Sequence, residues 1–381
     1  MQKKHFTFTL LLAAAVFIGC SPSKQVLTVE VTNPSSMERE NEIVEVSWKT
    51  VQQKLSLSAD ERIIVTANNG QQISYQLVTN GSEAAETLIF PVSVQAGETV
   101  SFQITAGKPE SFAPLVYGRL VPERKDDFAW ENNRSAFRVY GPALKATGEI
   151  SNGMDFWAKK TESLVIDKWY KDDLAGVASY HEDHGEGLDF YKVGRTLGLG
   201  MTAPVDNETL CLGDNFVTAE ILDNGPLRIG FKLSYDPYEA GGKTVKETRI
   251  ISLDAYRLFN KVTNIFEVEN NELIVATGIV MEKDKPEITY GDNSGIIAYE
   301  TPADNVNGTI YTAAIHPGGF INTKIANGHL LGLNNYQPGT PYTYYAGGGW
   351  SKAGFDSFED WTRFVKQEKE KIDQPLIIQI N

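Results

Sequence analysis

The chain has 381 residues, with 49 acidic against 35 basic side chains and a formal charge of −14. That acidic excess argues against nucleic-acid binding, which needs a basic face, and leaves any anionic ligand to a local cluster of cations. There are two cysteines, one of them in a leader-like segment. No internal disulfide is then expected, so stability rests on the large core a chain of this length can bury.

Residues 1–19 read as a targeting segment. Lys3 and Lys4 give a positive start, residues 10–18 an apolar core, and Phe17-Ile18-Gly19-Cys20 closes it as a bacterial lipoprotein signal closes. The apolar run is too short for a lasting membrane helix. The expectation is a lipidated Cys20, a polar tether over residues 20–24, and a lipid-anchored protein of the cell envelope. The side is periplasmic or outer-membrane surface, and the absence of acids directly after Cys20 favours the periplasm. The lipid is the only membrane contact implied.

Residues 25–116 predict a small immunoglobulin-like β-sandwich. Six short runs, among them LTVEVT from Leu27 and EIVEVSW from Glu42, alternate apolar and polar residues between Asn/Gly turns. This part has no histidine, and it reads as structural, with carbohydrate binding as the sharper alternative.

Residues 117–381 predict a larger, mostly β domain. Short apolar runs broken by Gly and Asn point to antiparallel sheets, and there is no GxGxxG or P-loop. Residues 122–142, PERKDDFAWENNRSAFRVYGP, gather Arg124, Arg134, Arg138, Glu131, Asn132, Trp130 and Tyr140. If the second half is a strand, Arg134, Ala136, Arg138 and Tyr140 share one face, and Phe137 and Val139 the other. Paired guanidiniums match carboxylates and sulfates, and Trp130 offers a flat platform for a sugar ring. The plainer alternative is a solvated face with ion pairs to Asp126, Asp127 and Glu131.

Residues 180–195, YHEDHGEGLDFYKVGR, bring His181 and His184 together with Tyr180, Tyr191 and Arg195. Gly185 and Gly187 make this a loop feeding a strand, and histidine is the group best placed to move protons near neutrality. His181, Asp183 and His184 are also ligand types, with Glu186 beside them and His316 further on. They form no complete set at convincing spacing, so no metal is expected. Cys211, in TLCL, reads as core. Residues 336–350 hold Tyr344, Tyr345 and Trp350 around three glycines, which suggests either a mobile aromatic rim suited to sugars or core packing under a loop. Near the end, DSFED at 356–360 caps a helix whose stripe is Phe358, Trp361, Phe364 and Val365, followed by a last strand over residues 376–380.

The tracts ERKDDFAWENNRSAFRVYGP, SYHEDHGEGLDFYKVGRTLGLG and YYAGGGWSKAGFDSFEDW together resemble a family of Bacteroidetes polysaccharide-utilisation lipoproteins known as a domain of unknown function, DUF4861. The resemblance spans nearly the whole mature chain. It implies a galactose-mutarotase-like β-supersandwich in the large domain, as in several polysaccharide lyases. It also implies action on uronate-containing oligosaccharides by elimination of water or of a sugar. It carries no catalytic residues over, and fold alone sets no activity.

The side chains themselves suggest roles for such a β-elimination. Arg134 and Arg138 would neutralise the uronate carboxylate, His181 or His184 would take the proton, and Tyr140 or Tyr180 would protonate the leaving oxygen. Arg124, Trp130, Glu131, Asn132, Arg195, Tyr344, Tyr345 and Trp350 would hold the sugars. No cofactor is called for. The alternatives are a glycoside hydrolase with a carboxylate pair and a non-catalytic glycan-binding lipoprotein.

Overall fold

The structure is a computed structural model that describes residues 25–58, 61–269, 272–282 and 289–381. The lipidation expected at Cys20 lies outside the described residues. The fold is all-β, and every strand pair within its sheets is antiparallel.

The first sandwich follows from strict alternation. In the strand Val26–Thr32, Leu27, Val29 and Val31 are buried, while Thr28 and Glu30 are partly exposed on the other face. The strand pairs with Thr99–Ala106 on one side and with the chain's last strand, Ile377–Ile380, on the other. The carboxyl end of the sequence therefore completes the amino-terminal sandwich. A second sheet, of Arg39–Ser47, Thr87–Val94 and Gln76–Val78, closes the core. Two local expectations change here. Ser47 ends its strand, accepts a hydrogen bond from the Thr50 amide, and starts the helix Trp48–Leu55. The run from Ile73 to Val78 splits between two sheets, because the chain crosses the sandwich there.

The larger part is built on a nine-stranded sheet. Two five-stranded sheets lie side by side against its inner face. One is centred on Leu199–Asp206 and Leu273–Val280, the other on Asp127–Asn132, Ala136–Val139 and Asp155–Lys159. Their shared core runs from Phe128, Trp130 and Phe137 through Phe231 and Val262 to Tyr344. Outside the nine-stranded sheet, the helix Phe358–Asp373 buries Trp361 and Val365 on Phe259, Tyr311 and Ile315. Side-chain capping sets its start, where the Ser357 hydroxyl accepts from the Asp360 amide at 3.1 Å.

The three glycines of the strand Tyr342–Trp350 are packing devices, not hinges. A Cβ on Gly347 would lie 2.1 Å from the Leu258 carbonyl oxygen, and one on Gly349 would lie 2.7 Å from the Phe355 ring. This strand lies between Phe259–Glu267 and Ile310–Ile315, inside the sheet. Of the two readings of this stretch, core packing holds for Tyr344 and Trp350, while Tyr345 is half-buried on the outer face.

Candidate functional site

The strands Asp127–Asn132, Ala136–Val139 and Asp155–Lys159 are buried on both faces. One face sends Phe128, Trp130, Phe137 and Phe156 into the main core. The other carries Asp127, Ala129, Glu131, Ala136, Arg138, Asp155, Trp157 and Lys159. The helix Ile166–Leu174 and Tyr180 cover it, packing Ile166, Trp169 and Tyr170 on Trp157 and Ala136. Polar groups thus sit under an aromatic lid, where each needs a partner.

Arg138 is the centre. It lies directly across from Asp155 in the ladder. Its Nη2 donates to Asp155 Oδ2 at 2.6 Å and to Asp189 Oδ2 at 2.8 Å, and its Nη1 donates to the Tyr180 hydroxyl at 3.3 Å. Asp127 Oδ2 is 3.9 Å from Nη1. The guanidinium carbon lies 5.2 Å from the Tyr140 ring centre and 5.3 Å from that of Trp157. Three carboxylates around one buried cation cannot all ionise at low cost. Burial pushes Asp127 up to about 6, against the pull of Arg138 and Arg124. Burial, and then the Asp155 charge, push Asp189 well above the usual carboxylate range. Burial and Asp155 also hold the Tyr140 phenol well above its usual value, so it keeps its proton.

His181 sits on this cluster. Its Nδ1 lies 2.9 Å from the Asp189 carbonyl oxygen and 3.6 Å from Asp189 Oδ2. A carbonyl only accepts, so Nδ1 carries a hydrogen, and in the neutral ring Nε2 is the free nitrogen, on a side chain 56% exposed. The Tyr180 ring lies 4.4 Å from the imidazole. Arg124 completes the edge. It is half-buried, its Nε donates to the Tyr180 hydroxyl at 3.2 Å, and its two Nη groups have no partner among the described residues. The pair of histidines separates. His184 points elsewhere, with Nε2 bonded to the Ser179 carbonyl at 3.1 Å.

Several expected assignments are corrected. Arg134 and Arg138 form no clamp: the strand begins at Ala136, and Arg134 is exposed in the preceding turn, which Asn132 organises by accepting from the Arg134 and Ser135 amides. Arg138 is committed to Asp155, Asp189 and Tyr180, and only its buried Nε lacks a hydrogen-bond partner. Trp130 is no sugar platform, since it is fully buried, stacked on Phe137 and bonded to Asn260. Glu131 is buried, accepts from Lys159 at 2.6 Å, and caps the amides of Val165 and Ile166. Arg195 is exposed, 3.9 Å from Asp214. Tyr344 is core, and Trp350 is buried with its Nε1 bonded to Asn307. Tyr345 faces a different cleft, beside Arg228 and Arg257.

Two acids of the histidine loop are engaged. Asp183 pairs with Lys160 at 2.6 Å, and Glu186 pairs with Lys168 at 3.0 Å. Among the described residues, no three His, Cys, Asp or Glu side chains are grouped to hold a metal. Cys211 is half-buried against the main core. Sequence reasoning passed over Asp155, Asp189, Trp157 and Tyr170. The available signal was an acid inside an otherwise apolar run, in GMDFWA and in GLDF.

A family profile described as a domain of unknown function, DUF4861, matches residues 31–378. An uncharacterised protein of Formosa agariphila is 28% identical over 401 residues, covering 99% of this chain and all of that one. Among solved structures, an α-mannosidase from Enterococcus faecalis superposes with a TM-score of 0.47 at 11% identity, over 94% of this chain and 46% of the other. A family 38 glycosyl hydrolase protein from the same species gives 0.46 at 10% identity, over 94% and 47%. The chain spans about half the length of those two structures.

Proposed function

The chain belongs to the DUF4861 family, and we propose that it is a carbon–oxygen lyase acting by β-elimination on uronate-containing oligosaccharides. The observation that carries this reading is the contact at 2.9 Å between His181 Nδ1 and the Asp189 carbonyl oxygen, which orients the ring and leaves Nε2 as the outward nitrogen of a candidate base.

In this reading, Arg124 offers its free Nη groups to the uronate carboxylate. His181 Nε2 removes the C5 proton, and the electron pair moves into the carboxylate as an enediolate. When that pair returns, the C4–C5 double bond forms and the C4–O4 bond breaks. The Tyr140 phenol, which holds its proton, supplies it to the departing oxygen. Arg138 acts indirectly by fixing Asp189. The products are a 4,5-unsaturated uronate and a sugar hydroxyl or water. We place this activity at the cell envelope, held by a lipid on Cys20.

At this site the glycosidase alternative is disfavoured by geometry. Within the His181 cluster, Asp155 and Asp189 are the close carboxylate pair, but both are buried and both bind the same nitrogen of Arg138. A sugar has no room between them.

The test is incubation with uronate-containing oligosaccharides while absorbance of the conjugated uronate is recorded. Rising absorbance that disappears in His181→Ala supports elimination. New reducing ends without absorbance would mean hydrolysis. Binding without either would leave a glycan-binding protein.

A further inference from the structure

We propose that a second cleft, between the first sandwich, the outer face of the nine-stranded sheet and the C-terminal helix, binds an acidic saccharide. The site is separate from the His181 cluster, because the nine-stranded sheet and the main core lie between them. The inference goes beyond the elimination reading and stands without it.

The cleft measures about 320 Å³, the size of a small-ligand pocket. Its floor is set by strand register. Ser252 lies opposite Lys261, and Lys261 lies opposite Tyr345, so the three form one row across neighbouring strands. One wall is Glu42, Ile43 and Glu45 from the strand Arg39–Ser47. The other is Glu368, Lys371 and Ile372 from the helix Phe358–Asp373.

Most charges here are already engaged. Arg228 binds Asp254 at 2.5 Å and Glu45 at 2.7 Å, and Lys371 binds Glu368 at 2.6 Å. Glu42 is held from behind by the buried Arg39 at 3.0 Å. One cation is left over, and a second is only loosely paired. Lys261 is exposed and has no partner among the described residues. Arg257 lies 3.5 Å from Glu42 and 3.7 Å from Glu368, and its guanidinium makes no hydrogen bond among the described residues, although it is only 18% exposed. Both ion pairs are too long for hydrogen bonds, so this shielded guanidinium keeps donor capacity for a further acceptor.

Arg257 and Lys261 therefore supply an anion site in a chain whose overall charge repels anions. The half-buried Tyr345 supplies a ring face and a phenol, and Ser252 a hydroxyl. The carboxylates around them accept from hydroxyls. An anionic group on a ring that bears hydroxyls fits this combination. Carboxylate and sulfate share the required charge.

The experiment is isothermal titration with three probes: an oligogalacturonate, a sulfated oligosaccharide and a neutral cello-oligosaccharide. The protein carries Arg124→Ala and His181→Ala, so the other site contributes nothing. Saturable binding of the oligogalacturonate or the sulfated probe is expected, and which one binds identifies the anion. Adding Lys261→Ala should weaken it about tenfold, one charged hydrogen bond's worth. Lys261→Arg should restore most of it. Lys261 is exposed, so the fold is not at stake. Binding of the neutral probe alone, absence of binding, or affinity indifferent to Lys261→Ala would overturn the proposal.

Discussion

His181 is hydrogen-bonded to Asp189 through the backbone: the imidazole Nδ1 lies 2.9 Å from the Asp189 carbonyl oxygen, with the side-chain carboxyl 3.6 Å away. The same carboxylate holds Arg138 at 2.8 Å. One residue thus ties a half-exposed, proton-active ring to a buried charged core. That link distinguishes His181 from His184, three positions further on.

The first prediction separates the two histidines. His181→Ala should lower turnover by roughly 10²–10⁴-fold, the usual worth of a general base. His184→Ala should keep most of it, because its ring bonds the Ser179 carbonyl away from Asp189. Both side chains are exposed, so urea midpoints should barely move. Initial rates on a uronate oligosaccharide, read beside those midpoints, decide it. Equal losses in both variants would contradict the assignment.

Arg138 should behave as a stabilising residue before a substrate-binding one. Arg138→Met leaves Asp127, Asp155 and Asp189 buried without their cation. The expected cost is about 3–5 kcal/mol, as for breaking a buried ion pair from one side. Chemical denaturation measures it. A variant of unchanged stability with only a raised KM would return Arg138 to the role of carboxylate clamp.

Glu131 and Lys159 allow a cleaner experiment. Both are fully buried as side chains and 2.6 Å apart. Burial pushes Glu131 up and Lys159 down, and each opposes the other's shift. Glu131→Gln should cost several kcal/mol by stranding the ammonium, and Lys159→Met should do the same to the carboxylate. The double variant should recover part of that loss, and a double-mutant cycle yields the coupling. Full recovery is not expected, because Glu131 also caps the Val165 and Ile166 amides.

Asp127 predicts a pH dependence. Its folded value is about 6 against a reference of 3.8, so the folded state holds the proton more tightly. The resulting contribution is fully present below the unfolded value and is lost as pH rises through about 6. The stability difference between the native chain and Asp127→Asn should therefore fall between about pH 4 and pH 6, by no more than about 3 kcal/mol. Urea midpoints across that range test the sign. A difference that grows with pH would mean that Arg138 and Arg124 outweigh burial.

Much was legible from local pattern. Alternation placed Leu27, Val29 and Val31 inward, and the all-β class followed from many short runs of that kind. Ser357 and Asp360 marked the start of the last long helix because capping is a contact between near neighbours. Residues 180–195 were singled out for proton-active density, and His181 does lie on the charged cluster. The parity argument at Arg134 failed for a local reason, the Asn132 side chain making a turn where a strand was expected. Trp130, Glu131 and Arg138 failed for a tertiary one. Alternation says which residues share a face, and it is silent on what covers that face. Here the main core takes one side, and the helix Ile166–Leu174 with Tyr180 takes the other. Only that double burial forced the polar side chains to satisfy one another, and it alone brought Asp155 and Asp189 onto Arg138.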